Sequence, residues 1–198
     1  MRRSGLEKKF EEFVARYGLD YRRCDRVLPG CGRNRPDYEH IRRRNCVVEL
    51  YHPIYHSFGE AVGKIAFYGA RDYKTLVIWE AELNDEPRLV GRTRVFEQAA
   101  ESAGFFGMAR IADEASADEA IVWRVSGVAD LDTIAQEVAK LIAVPLNTTR
   151  VQIHCFNGEG NVANLNVGLI DGSVSYVHKV LVGLLTSEPI IISEERRL

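Results

Sequence analysis

Residues 33–52 read RNRPDYEHIRRRNCVVELYH. The end of this stretch, CVVELYH at 46–52, is apolar and β-branched and is closed by Pro53, so it is expected to be a strand. A shorter strand is expected at 35–41, with another at 21–27 before it. The glycine–proline run PGCG at 29–32 reads as the turn between those two. By alternation along 46–52, Glu49 shares a face with Val47 and Tyr51. A carboxylate on a largely buried face needs a charge partner, a set of hydrogen bonds or a metal. If the strands at 35–41 and 46–52 lie side by side, Asp37 and Glu49 converge. Two carboxylates and a backbone carbonyl make an oxygen-rich set suited to Mg²⁺ or Mn²⁺. The competing reading pairs each acid with an arginine drawn from Arg33, Arg35 or Arg42–Arg44.

Working outward, SGLEKKFEEFVARYG has Leu6, Phe10, Phe13, Val14 and Tyr17 on one helical face, with Ser4 and Glu7 at capping-box spacing and Gly18 as a stop. After 46–52, HSFGEAVGKIAFYGA reads as a second helix, in which Ser57 and Glu60 repeat the capping-box spacing. KTLVIWEAE at 74–82 is a buried-looking strand, 92–104 a third helix, and FFGMARIA one more strand. The polar, acidic run DEASADEA at 113–120 reads as a linker. Beyond it AIVWRVSG is a strand and DLDTIAQEVAKLIAV a helix. RVQIHCFNGEGNVANLNVGLIDG is a hairpin turning at Asn157-Gly158-Glu159-Gly160. SVSYVHKVLVGLL is expected to be a helix opened by Ser173, and PIIIS a final strand. The second half then has the ferredoxin-like order β-α-β-β-α-β. The expectation is an α/β (α+β) protein of two units, 1–112 and 119–198.

The first half carries a resemblance. Pro36-Asp37 followed by Glu49-Leu50-Tyr51, set in the order α-β-β-β-α-β, resembles the PD-(D/E)XK nuclease superfamily, whose restriction-endonuclease-like core the chain matches over residues 4 to about 80 and more loosely to 110. The resemblance implies hydrolysis of phosphodiester bonds in DNA. It also implies Asp37 and Glu49 as ligands of Mg²⁺ or Mn²⁺, with Glu7 or Glu11 on the first helix as a third acid. The chain departs from the motif at Tyr51, where the family has its lysine. A tyrosine near its ordinary pKa of about 10 neither offsets phosphate charge nor activates water readily. Lys64, the only lysine between Lys9 and Lys74, is the first substitute. Lys64-x3-Tyr68 resembles the Gln-x3-Tyr helix motif of the family's exonuclease branch. His52 is a second substitute, although alternation turns it away from Tyr51. The other reading is a nuclease-fold protein that has lost its reaction and serves in nucleic-acid binding or assembly.

Charge fits a polyanion partner for the first half only. Residues 1–50 hold 13 Lys and Arg against 8 Asp and Glu, whereas 111–198 hold 6 against 12. Arg42, Arg43 and Arg44, with Arg22, Arg23 and Arg26, are candidates to grip a phosphate backbone; the alternative is a well-solvated turn. Apolar residues make up 46% and charged residues 27%, the composition of a soluble globule, and there is no apolar run near 18 residues. No membrane partner is expected, and a cytoplasmic location is the default. Cys24, Cys31, Cys46 and Cys155 read as structural thiols, with a Cys24–Cys31 disulfide as the alternative. His52 and His56 straddle Pro53, which breaks the helix that a joint zinc site at that spacing would need. His154 and Cys155 face opposite ways and read as packing residues, as do Trp79 and Trp123. The run Ile190-Ile191-Ile192 on an edge strand suggests self-association through the second unit.

Overall fold

A computed structural model describes residues 4–111, 119–127, 129–182 and 194–197. Helix α1 (Gly5–Tyr17) begins at Ser4, whose hydroxyl accepts from Glu7 N while the Glu7 carboxylate accepts from Ser4 N, and it ends at Gly18 with φ 62°. Phe10 and Phe13 are its buried stripe. Three strands follow: β1 (Tyr21–Arg23), β2 (Tyr38–His40) and β3 (Cys46–Tyr51). Helix α2 (Phe58–Gly69) has its own capping box between Ser57 and Glu60 and leads to β4 (Lys74–Trp79). A short 3-10 turn (Glu80–Asn84) precedes α3 (Glu86–Ala99) and then β5 (Phe105–Arg110). The third helix thus starts six residues before the expected 92–104. Asp85 caps it by accepting from Arg88 N, and Pro87 sits in the first turn, where no amide proton is needed.

The second half contributes β6 (Glu119–Arg124), α4 (Leu131–Val138) with a π turn (Ala139–Ala143), β7 (Arg150–Asn157), β8 (Gly160–Ile170), β9 (Ser173–Leu181) and β10 (Glu194–Arg197). The expected helix opened by Ser173 is therefore strand β9. Asp171 and Gly172 both take positive φ, 50° and 75°, which is the tight primed turn that joins two strands directly. Ile170 pairs with Ser173 across it. The elements after α4 accordingly run β-β-β where the ferredoxin-like order has β-β-α. The run 190–192 and most of the expected linker lie outside the described residues.

All the described strands form one mixed sheet in sequence order. Pairs β1–β2 and β2–β3 are antiparallel, β3–β4–β5 parallel, β5–β6 antiparallel, β6–β7 parallel and β7 to β10 antiparallel. The pairing of β5 with β6 carries the sheet across the expected boundary. Helices α1, α3 and α4 cover one face over Val48, Leu50, Leu76, Ile78, Met108, Ile121 and Ile153. Helix α2 covers the other face over Tyr51, Val77, Trp79 and Val122. It sits close to β5, because a Cβ at Gly69 would fall 2.2 Å from the Phe106 ring. No helix among the described residues is long and apolar enough to cross a membrane.

Candidate functional site

The antiparallel register of β2 with β3 pairs Tyr38 with Val48 and Glu39 with Val47. Continued by one residue, it sets Asp37 opposite Glu49. A hydrogen bond fixes this end: Leu50 N donates to Asp37 Oδ2 at 2.8 Å. The two acids are thus brought together, and among the described residues neither is paired with an arginine. The acid that takes arginines is Glu39, which accepts from Arg22 at 2.8 Å and from Arg26 at 2.8 Å. Burial raises the Glu39 pKa, but the two guanidinium groups outweigh that and hold it below the usual range.

Helix α2 crosses above β3 and presents Lys64 and Tyr68, one turn apart. Lys64 Nζ lies 3.7 Å from Glu49 Oε1 and 5.4 Å from the centre of the Tyr68 ring. Glu49 is only 6% exposed. Burial first, then the charge of Asp37, pushes its carboxyl up to about 7, against the pull of Lys64 and the Tyr68 hydroxyl. Tyr68 and Glu49 face each other without a well-formed hydrogen bond, since Glu49 Oε1 and the Tyr68 hydroxyl are both buried atoms lacking a partner. Burial and the neighbouring Glu49 charge push the Tyr68 hydroxyl far upward, so it stays protonated. Asp37 is raised by burial and by the charge of Glu7, and held back by the Leu50 amide, Lys64 and His56.

Tyr51, at the position of the missing lysine, is buried, stacked on His56 at 4.1 Å and edge-on to Trp79 at 5.4 Å. Burial and the nearby carboxylates raise its hydroxyl well above the usual value, so it is a packed neutral phenol. His52 turns away, as alternation requires, and its Nε2 lies 3.0 Å from Glu80 Oε2.

Glu7 does not join the pair. Its Oε2 accepts from Ser4 N, and its Oε1 faces Arg23 at 3.4 Å. Glu11 takes the Tyr38 hydroxyl at 3.4 Å. No group of three or more His, Cys, Asp or Glu among the described residues is arranged to hold a metal. The pair does have features of a hard-cation site, namely two adjacent carboxyl groups and a buried carboxylate oxygen with an unused lone pair.

The arginine knot lies elsewhere. Arg42, Arg43 and Arg44 precede β3, so they sit at the end of the strand away from Glu49, roughly 10 Å along it. Arg42 pairs with Asp20 at 3.1 Å. Arg43 holds Glu101 at 3.0 Å and the Glu97 carbonyl. Arg44 is exposed. By contrast Arg33 and Arg35, in the loop leading to Asp37, are exposed and make no hydrogen bond or ion pair among the described residues. The competing reading, in which each acid pairs with an arginine from Arg33, Arg35 or Arg42–Arg44, finds no such pair among the described residues. His56 went unnoticed as a neighbour of Asp37, because the turn that folds it back onto Tyr51 leaves no periodic signal.

All four cysteines are buried free thiols, so Cys24 and Cys31 are not joined. They pack with Leu28, Val47 and Tyr68 beneath α2. No protein-family model, curated protein or solved structure matches the chain.

Proposed function

We propose that the protein hydrolyses phosphodiester bonds in DNA with the help of a divalent cation held by Asp37 and Glu49. The observation that carries this reading is Glu49: a carboxyl group buried beside a second carboxyl, whose Oε1 makes no hydrogen bond and faces the Lys64 ammonium at 3.7 Å. A stable fold gains nothing from that combination, because an unsatisfied buried oxygen and like-charge crowding both cost free energy. A catalytic site has a use for it. The α-β-β-β-α-β order of the first half and the migrated Lys64 agree with a PD-(D/E)XK-type core.

Mg²⁺ or Mn²⁺ in this position would supply positive charge to a scissile phosphate and activate a water molecule. The chain's own residues have separable tasks. The Leu50 amide fixes the rotamer of Asp37. Lys64 places an ammonium beside the carboxyl pair, where it offsets charge building up on the phosphate oxygens. Tyr68 keeps its proton and offers an O–H donor to the same space. Tyr51 contributes packing only.

Labelled single-stranded, duplex and branched DNA incubated with Mg²⁺ or Mn²⁺ tests the proposal. Cleavage should stop with a chelator. It should fall by roughly 10²–10³ in Asp37→Asn, Glu49→Gln and Lys64→Met, the usual cost of removing a group that stabilises transition-state charge. Uncut DNA of every form with both ions would refute the reading. A second reading is favoured by one observation, the neutral, packed Tyr51 at the motif lysine. On that reading the same core binds DNA without cutting it, and binding would survive Glu49→Gln with a salt slope set by phosphate contacts.

A further inference from the structure

The turn between β3 and α2 leaves the sheet at the end where Glu49 and Asp37 lie. It exposes two adjacent large apolar side chains, Ile54 at 78% and Tyr55 at 76%. Leaving both in water forgoes the stabilisation that burial would bring. The exposure does not come from a loose chain, because the turn is internally braced. Tyr55 N and His56 N both donate to the His52 carbonyl, at 3.0 and 3.1 Å, and Ile54 N donates to His52 Nδ1 at 3.2 Å. The other nitrogen of His52 is anchored on Glu80, and His56 is stacked on Tyr51. A rigid turn therefore holds a phenol ring outward at the end of β3 that carries Glu49, one side of the ring 5.3 Å from the His52 imidazole and the rest open to solvent.

The neighbouring charges say what would meet it. The loop that carries Arg33 and Arg35 ends at Asp37, which the register sets opposite Glu49, and His56 stacks on Tyr51, two residues along β3 from Glu49. Both loops therefore lead to the strand ends that carry the acids, and the two arginines are exposed and make no ion pair among the described residues. The acids at the rim are engaged: Glu80 with His52 and, at 4.0 Å, Lys9, and Glu60 with the α2 cap. An outward aromatic on a braced turn, with exposed guanidinium groups on the loop that leads to Asp37, matches the means by which proteins hold single-stranded nucleic acid. Bases stack on the ring, and cations track the phosphates. We propose that residues 53–56 form a stacking platform for an unpaired base of a single-stranded DNA substrate, with Tyr55 beneath the base and Arg33 and Arg35 against the adjoining phosphates. The inference rests on the hydrolytic reading of the adjoining acids and narrows its substrate to DNA with unpaired nucleotides.

The test is binding of the full chain, in Ca²⁺ and separately in chelator, to a fluorescent single-stranded oligonucleotide carrying 2-aminopurine, to its duplex and to RNA of the same sequence. Tyr55→Ala should weaken single-strand binding about tenfold or more, the usual loss for one base–aromatic stack, and should abolish the quenching of 2-aminopurine. Tyr55→Phe should keep both, and duplex binding should not change. Arg33→Ala with Arg35→Ala should flatten the salt dependence of single-strand binding by about two phosphates. Thermal melting identical to wild type shows that the surface variants are folded. Single-strand binding unaffected by Tyr55→Ala and Ile54→Ala overturns the platform, even if the protein cuts DNA. RNA bound more tightly than DNA overturns the DNA assignment. Tyr55-dependent binding without cleavage upholds the platform and removes the hydrolytic reading instead.

Discussion

A carboxyl group with little access to water holds its proton to higher pH than one in solution, and Glu49 is in that position on the face it shares with Val47 and Tyr51. Its pKa rises from an ordinary 4.5 to about 7, with burial as the first cause. The folded protein therefore keeps this proton between those values, while the unfolded chain has released it. The contribution of Glu49 to stability is complete below the unfolded pKa and declines as pH rises through about 7. At pH 8 the cost is on the order of 3 kcal/mol. Glu49→Gln, the shape of the neutral acid, should remove it. Its melting temperature should exceed that of the wild type by about 5–10 °C at pH 8 and match it near pH 5. Mn²⁺ should raise the wild-type value at pH 8 and leave the variant unchanged. Calorimetry at the two pH values decides this, and a variant that melts below wild type at pH 8 would show that Glu49 has a structural partner.

Between elements, the most consequential polar contact is not at the site. Arg92 of α3 is 1% exposed and lies between Glu119 of β6, at 2.8 Å, and Glu82 of the 3-10 turn, at 2.9 Å. Glu82 in turn accepts from Trp79 N at 2.8 Å. Removing one acid leaves a buried guanidinium undercompensated, so Glu119→Ala should cost about 3–5 kcal/mol. The check is a urea midpoint that falls with an unchanged slope. None of this was legible in the sequence, where Arg92 stood only at the start of an expected helix and Glu119 in an expected linker. What was legible were the elements with a local code: the capping boxes at Ser4 and Ser57, strand 46–52, and the hairpin at 157–160. The failure at β9 has a definite cause. A bulge between Gly168 and Leu169 shifts the pairing, so the inward residues of β9 are Val174 and then Val177. That three-residue step imitates a helical period, and the Asp171-Gly172 turn was the better signal. The Asp37–Glu49 pairing was legible because alternation and register alone set it. The partners of the arginine knot were not, because Asp20, Glu97 and Glu101 come from elements that only the tertiary fold brings to that end of β3.

Across the whole molecule, the linear order of the sheet makes β5 the strand on which both halves meet. One apolar cluster runs from Phe10 and Phe13 through Phe96, Phe105 and Met108 to Ile121, Trp123, Ile134 and Val138. Lys74 Nζ donates to the Phe105 carbonyl, and Arg124 Nη2 reaches Asp72 at 3.2 Å, so polar contacts tie the start of β4 to β5 and to the end of β6. The face of the core opposite α2 is therefore shared, although the acid pair, Lys64 and Tyr68 all belong to the first half. A fragment of residues 1–112 would keep every proposed catalytic group. It would also expose the edge of β5, uncover Phe105 and Met108, and leave Arg92 without Glu119. Exposed β-edges and apolar faces of this kind drive association, and a buried charge without its partner opposes folding. The fragment should therefore fail to fold alone, giving broad, poorly dispersed amide resonances and aggregates by light scattering. Adding residues 113–198 as a separate chain during refolding should restore dispersed resonances and any cleavage activity. A soluble, well-dispersed 1–112 fragment would instead show that the acid pair and α2 sit on a unit stable without β6, with the second half an accessory to it.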